Sequence, residues 1–288
     1  IQAAGTSDQQ EAWLPRIIAG EVQGAFAFLE RQSRFELNDV ATTATADGDG
    51  YVLNGEKTVV FNGSAADAVI VSARSAGAQT DADGISLFLV DAAAVEKTTY
   101  RIMDGQVVAN IKLDNVKVGG DALIGAADAA LPVIEVVTNN AILALSAEAL
   151  GIMGKLNETT LEYTKTREQF GVKLSSFQAL QHRMVDTFMA YEQTKSIVYR
   201  AVCALTDPDS EGGEREDMRN LHALKVMIGN AGKLVGDEAI QLHGGMGLTD
   251  ELDVGHYAKR LMLIRTTFGD ADYHQQKFNA LSYGSAAA

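Results

Sequence analysis

Two stretches of this sequence place side chains where a phosphate could be held. In Arg167-Glu168-Gln169-Phe170-Gly171 an arginine lies beside an aromatic ring and a glycine, with Phe177-Gln178 shortly after. A guanidinium can grip a pyrophosphate through two parallel N–H donors, and an amide adds a neutral donor. The plainer reading of Arg167 is a surface charge or a partner for a helix C-terminus. In Gln241-Leu242-His243-Gly244-Gly245-Met246-Gly247 the glycines share part of a dinucleotide fingerprint. The preceding sequence is helical, however, and the last glycine of that fingerprint is absent. A helix C-cap with a glycine turn competes with backbone N–H groups offered to a nucleotide.

Other chemistries find less support. His182, His222, His243, His256 and His274 form no HxxxH or HExxH pair, so no metal site is expected. No GxSxG elbow occurs, and the lone Cys203 lies in an apolar helical stretch and reads as core, not as a nucleophile. Lys and Arg number 24 against 38 Asp and Glu, a formal net charge of -14. That excess argues against nucleic acid or an anionic membrane as the main partner. No apolar run approaching the ~18 residues of a membrane span is evident. A single cysteine suits a reducing compartment, and the expectation is a cytoplasmic protein. The 288 residues begin without Met, and Ile1 to Gln10 lack the basic and apolar regions of a signal peptide. Upstream sequence is therefore expected.

The elements that must carry these residues divide by texture. Thr6-Ser7-Asp8 offers N-caps to a short first helix containing Trp13 and Leu14. From Ala25 to about Val118 short apolar runs alternate with turn residues: Tyr51 to Leu53, Ala68 to Val71, Ile85 to Val90 and Ile111 to Val118. Asp47-Gly48-Asp49-Gly50 and Asn54-Gly55 are hairpin signals. No helix-length segments separate the strands, which favours an antiparallel sandwich or barrel. From about Leu131 the period is helical. Leu143 to Leu161, Phe177 to Val202 and Leu221 to Val235 predict three long helices, and Val254 to Arg265 a fourth. A polar break at Asp207 to Asp217 separates the second from the third. The expected fold is α+β, a β-sandwich or barrel followed by an up-and-down four-helix bundle. The expected domains are 1–24, 25–125 and 126–288.

At this point the motifs resemble those of the acyl-CoA dehydrogenase family. Gly5-Thr6, Gln10 and Trp13-Leu14-Pro15 through Gly20-Glu21 look like the family's lead into its middle β domain. Arg167 to Gly171 with Gln178 resembles its R-x-x-F-G … Q signature, and Gln241 to Thr249 its Q-x-x-G-G-x-G-x-T signature. The C-terminal stretch is most similar to small subunits of two-subunit enzymes of the pimeloyl-CoA or steroid side-chain type. The resemblance implies FAD, an acyl-CoA thioester substrate, and a tetramer in which each ADP half is gripped by a neighbouring subunit. The residues matching that grip are Arg167, Phe170, Gln178, Gln241, Gly244 and Gly245. It also implies that 1–24 is the remnant of a helical domain otherwise absent here.

The departures from the family cluster. Its α-proton is removed by a Glu at one of two places, where this chain has Ala141 and Phe268. The flavin-cradling stretches read Leu29-Glu30-Arg31-Gln32-Ser33 and Val59-Val60-Phe61-Asn62-Gly63. Asp270 and Asp272 replace a Thr and a Gln, and two carboxylates there repel a phosphate. The expectation is a chain with no catalytic residue of its own, completing the FAD site of a homologous catalytic subunit, most simply in a heterotetramer and otherwise in a homo-oligomer. Two rivals stand beside it: an active enzyme with Glu148 as displaced base, and a flavin-free scaffold. Glu148 shares the helical face of Ala141, about 10 Å further along.

Overall fold

The computed structural model describes residues 1–206 and 213–284. The chain separates into two compact units, Ile1–Thr138 and Asn139–Ala288. The first opens with α1 (Ser7–Ile18), started by a reciprocal capping box. Thr6 Oγ1 accepts from the Gln9 amide at 3.2 Å, and the Gln9 side chain returns to Thr6 N at 3.0 Å.

Eight strands follow: β1 (Gly24–Ala27), β2 (Thr43–Asp47), β3 (Gly50–Phe61), β4 (Ala68–Arg74), β5 (Ile85–Asp91), β6 (Glu96–Arg101), β7 (Val107–Gly119) and β8 (Leu123–Ile124). They form one sheet in the order β6-β7-β3-β2-β4-β5-β8, with β1 also on β4. The sheet is mixed, which corrects the expectation of a purely antiparallel one. β1 and β2 both run parallel to β4, and the other pairs are antiparallel. Parallel pairing needs a long connection, and the β2–β3 hairpin supplies it between β1 and β4. The hairpin turn is Gly48-Asp49, as expected, with Asp47 facing Gly50 and Gly48 at φ +65°. Asn54-Gly55 is no turn. It lies inside β3 at an irregularity in register, where a Cβ on Gly55 would sit 2.5 Å from Thr42 Oγ1. The glycine answers a close approach, not a chain reversal. Leu53, Val69, Val71, Phe88 and Ile111 fill the core of this unit.

The segment between β1 and β2 leaves the sheet and is pinned by one buried ion pair. Lys57, 0% exposed, places Nζ 2.6 Å from Glu30 Oε1 and 3.0 Å from Ser72 Oγ. Glu30 also accepts from the Ala41 and Thr42 amides and from Gln32 Nε2. Burial alone would raise the Glu30 carboxyl, but the Lys57 ammonium and these donors outweigh it and bring it to about 2. Burial draws Lys57 down to about 8, with Glu30 opposing.

The second unit takes in most of α2 (Leu131–Thr166), then α3 (Gln178–Thr206), α4 (Gly213–His243), α5 (Asp253–Ile264) and α6 (Ala271–Tyr283). The first four match the expected helices. α6 is a fifth among the described residues; only His274 of it is buried, so its sequence carries little apolar period. Part of the expected break, 207–212, lies outside the described residues, and Gly213 to Asp217 is already helical. Cys203 is exposed, not core. It stands five residues after the buried Val198, about 140° around the helix.

Among the described residues α2 is the one helix long and apolar enough to cross a membrane by length and composition. This corrects the expectation that no such run exists. Thr138 and Ser146 disguise it in the sequence, and both return their hydroxyls to the carbonyl four residues back, at 2.7 Å. Ala149, Met153 and Leu156 of the same helix are core residues of the second unit.

A carboxylate whose folded value lies below its unfolded one stabilises above the unfolded value and loses that contribution as pH falls. Unfolding free energy is therefore expected to drop as pH falls from about 4.5 towards 2. Glu30→Gln should cost about 3 kcal/mol at pH 7, because it strands a buried ammonium, and should flatten that acid limb. Urea titrations across pH read both.

Candidate functional site

α2 ends at Thr166, and the next residues form a small hairpin. Its strands are β9 (Glu168–Gln169) and β10 (Val172–Lys173). Phe170 and Gly171 make the two-residue turn at φ +57° and +77°. Positive φ at both positions is the mirror-type turn that matches strand twist, and glycine suits it. A phenylalanine there is costly, and this one is 90% exposed. Its ring meets the edge of Phe177 with centroids 6.1 Å apart. The Arg167 backbone is fixed from both sides: its N–H donates to Tyr163 O at 2.8 Å and its carbonyl accepts from Leu174 N at 2.9 Å. Its guanidinium is exposed and has no hydrogen bond or ion pair among the described residues. Gln178 opens α3 with an exposed side chain.

The end of α4 lies against the end of α2. The Tyr163 ring stacks on His243 with centroids 4.3 Å apart, and Tyr163 Oη donates to His243 O at 3.3 Å. His243 is held in turn by Nδ1 against Ala239 O at 2.8 Å. Arg183 of α3 joins Glu238 of α4 through Nε–Oε2 at 2.5 Å. The hairpin carrying Arg167 and Phe170 and the turn carrying Gly244 and Gly245 thus share one end of the helical unit. Gln241 is exposed there. Gly244, at φ +60°, terminates α4 and opens a 3-10 turn over Gly244–Leu248. The C-cap reading of this motif is therefore realised. Gly245 differs: it has no positive φ, and a Cβ there would meet nothing within 4 Å. Nothing in the chain itself demands glycine at 245, and the space beside its backbone is open. An unpaired guanidinium, two exposed amides and two exposed glycines suit a diphosphate.

The positions where a base would stand are closed to proton chemistry. Ala141 lies on α2 without a titratable group. Phe268 holds φ +59°, and its carbonyl accepts from His274 Nε2 at 2.9 Å. Gly269, at φ +109°, follows; a Cβ there would lie 2.6 Å from the His274 ring. Asp270 then caps α6, its Oδ1 accepting from Tyr273 N at 2.9 Å. Glu148 is spent in a bidentate pair with Arg260, at 2.6 Å to Nε and 2.8 Å to Nη2. Both of its oxygens are thus engaged by one guanidinium.

In the β unit, Glu30 of the Leu29–Ser33 stretch is committed to Lys57. Val59 holds φ +50°, an outlier for a β-branched residue, with its N–H on Asn110 Oδ1 at 3.2 Å. Phe61 is half-buried. Neither side chain is a hydrogen-bond donor.

Sequence reasoning missed the histidine pair. His222 Nδ1 and His274 Nδ1 lie 2.9 Å apart, and Lys225 Nζ is buried nearby, donating to Ile264 O at 2.8 Å and to Arg265 O. With one proton between the two rings and another on His274 Nε2, both rings are neutral. Burial, reinforced by Lys277, draws His222 to about 4. Burial also draws His274 to about 3, against the pull of the Phe268 carbonyl. His222 and His274 are far apart in sequence, so no spacing could signal them. Among the described residues no cluster of three metal-ligating side chains occurs.

Residues 131–278 match the family model for the acyl-CoA dehydrogenase C-terminal domain, and residues 25–116 that for the acyl-CoA dehydrogenase middle domain. The chain belongs to the acyl-CoA dehydrogenase family. It is 28% identical over 276 residues to a 3-(aryl)acrylate reductase of Clostridium sporogenes, covering 94% of this chain and 71% of that one. It is 29% identical over 270 residues to the acyl-CoA dehydrogenase FadE12 of Mycobacterium tuberculosis, covering 92% and 68%. The solved acyl-CoA dehydrogenase of Geobacillus kaustophilus superposes with TM-score 0.89 at 25% identity, over 98% of this chain and 73% of that one. FAD is the cofactor of acyl-CoA dehydrogenases, and the donor set at Arg167, Gln178, Gln241 and Gly245 fits its diphosphate end.

The histidine pair gives this member of the acyl-CoA dehydrogenase family a second acid limb. Both folded values lie below the ordinary 6.5, so the unfolded chain binds more protons in that window and stability falls as pH drops from about 6.5 to 4. His222→Gln should flatten that limb while leaving the Glu30 limb in place, as read by urea midpoints at half-unit pH steps.

Proposed function

We propose that this chain is the completing subunit of a heteromeric FAD-dependent acyl-CoA dehydrogenase. It donates its Arg167 end to a flavin held mainly by a homologous catalytic partner, and it has no full site of its own. The observation that carries the reading is the contrast within one helical unit. The donor set at the Arg167 end is open and unpartnered, while the base positions are Ala141 and a Phe268 locked by His274.

FAD supplies the two-electron oxidation when bound. The residues of this chain bind and orient. Arg167 neutralises diphosphate oxygens as a planar fork. Gln178 and Gln241 add amide donors, and Gly245 lets the backbone approach. The exposed Phe170 ring provides an apolar face. Removal of a proton α to a thioester needs a carboxylate with free lone pairs, and the partner supplies it. The carboxylate of Asp270 stands where a phosphate would gain from the start of α6, which opposes an anion there. The substrate class is an acyl-CoA thioester, the simplest closed assembly two such heterodimers related by a twofold, and the setting a reducing cytoplasm.

The displaced-base reading is the weaker one, because Glu148 is already paired to Arg260 at both oxygens. A flavin-free scaffold would leave Arg167 without a task.

Flavin stoichiometry tests this directly. The purified complex should carry one FAD per two chains, and Arg167→Ala should release roughly nine-tenths of it, as expected for losing a charge-assisted bidentate contact. One FAD per copy of this chain in the absence of a partner would overturn the proposal. Glu148→Gln should leave turnover of the complex unchanged.

A further inference from the structure

A cavity of about 510 Å³ opens between α3, α4 and α6, within the helical unit. Its polar wall has an uncommon composition. Arg200 Nη2 lies 3.0 Å from Glu216 Oε1, and Arg219 Nη1 lies 2.6 Å from Glu216 Oε2. Two guanidiniums share one carboxylate, so the wall is cationic in a chain whose net charge is -14. Arg219 is further fixed by Nε on Ser282 Oγ at 3.1 Å and by its place over the Phe278 ring, 5.2 Å from the centroid. Arg200 Nε and Nη1 and Arg219 Nη2 have no acceptor among the described residues.

Asn220 lines the same cavity, is only 9% exposed, and neither end of its amide is hydrogen-bonded among the described residues. A carboxamide of low exposure with no protein partner, its polar atoms open to the cavity, leaves its hydrogen bonds to whatever fills that space, water or a polar ligand group. Gln193, also without a partner among the described residues, offers a second amide from α3. Met227 gives the rest of the wall an apolar surface beside Phe278. None of these residues belongs to the Arg167 end or to the closed base positions.

We propose that this cavity binds a small organic anion in which a carboxylate, an amide and an apolar group are joined in sequence. The carboxylate accepts from the spare N–H groups of Arg200 and Arg219. The amide pairs donor-to-acceptor with Asn220, and the apolar group lies against Met227. Each element of that ligand answers an unpaired group or an apolar surface on the wall, as small-molecule sites do. The site is independent of any flavin, so its failure would leave the proposed completing role untouched.

Hippurate, an aryl amide bearing a carboxylate, is a probe with all three features. Titrated by calorimetry into the full 288-residue chain, it should bind saturably and roughly tenfold tighter than benzoate, which lacks the amide. Inorganic phosphate, which lacks both amide and apolar group, should bind more weakly still. Asn220→Leu conserves volume and should weaken hippurate by roughly tenfold. Arg200→Gln, on an exposed side chain, should weaken it as well and keeps the test intact if Asn220→Leu fails to fold. Absence of saturable hippurate binding, equal affinity for benzoate, or unchanged affinity in Arg200→Gln would overturn the proposal and leave a cavity filled by water alone.

Discussion

A helix of 31 residues that must bury a face against its neighbours governs the helical unit. α4 presents Leu221, Leu224, Ile228, Val235 and Ala239 to the core, and few polar groups interrupt them. The main interruption is Lys225. Its ammonium is almost wholly buried, which draws it down to about 7, with Asp270 opposing. It spends its donors on the last carbonyls of α5, Ile264 and Arg265. Those carbonyls have no partners within their own helix, so one buried amine closes α5. The loop that begins there, Phe268 to Asp270, is set by His274, which His222 of α4 orients. At the far end of α4, His243 receives Tyr163 and aligns the tip of α2. Both the closed loop and the open donor set are therefore placed by the same helix.

The two ends use their polar groups in opposite ways. Around the closed loop and the other candidate base position the key polar groups are engaged internally. His274 takes the Phe268 carbonyl, Asp270 caps its own helix, and Glu148 is shared with Arg260. At the open end the groups have no internal work: the Arg167 side chain is unpaired and Gly245 is unstrained. Groups with no intramolecular partner on a surface are common. A phenylalanine held at positive φ and almost fully exposed is not. Phe170 carries the expense of its backbone and the exposure of its ring together, which is the pattern of a residue placed for something outside the chain.

Much of the architecture could be read from periodicity. The four long helices and the hairpin at Gly48-Asp49 stood in the sequence because each follows from local rules. The parallel pairs on β4 did not, since Thr43 and Arg74 meet only through the path of the intervening chain. Asn54-Gly55 misled because glycine served a close contact with Thr42 where a turn was expected. Cys203 misled because apolar neighbours do not reveal which face a residue takes. Within the candidate site, Arg167 and Gly244 belong to contiguous motifs, which is why the sequence could point to them. Lys57 with Glu30 and His222 with His274 were invisible, because a buried polar residue reads like a surface one until its partner is known.

The exposed ring of Phe170 is one of several apolar groups on that hairpin and on the 3-10 turn after α4. Val172 flanks it on the hairpin, and Met246 and Leu248 follow Gly244, with Leu248 78% exposed. Surface of this kind is tolerable when covered and hazardous when bare. Under the proposed pairing, the same residues would be bare before assembly and covered after it, and unassembled copies would carry their own mark for chaperones and proteases.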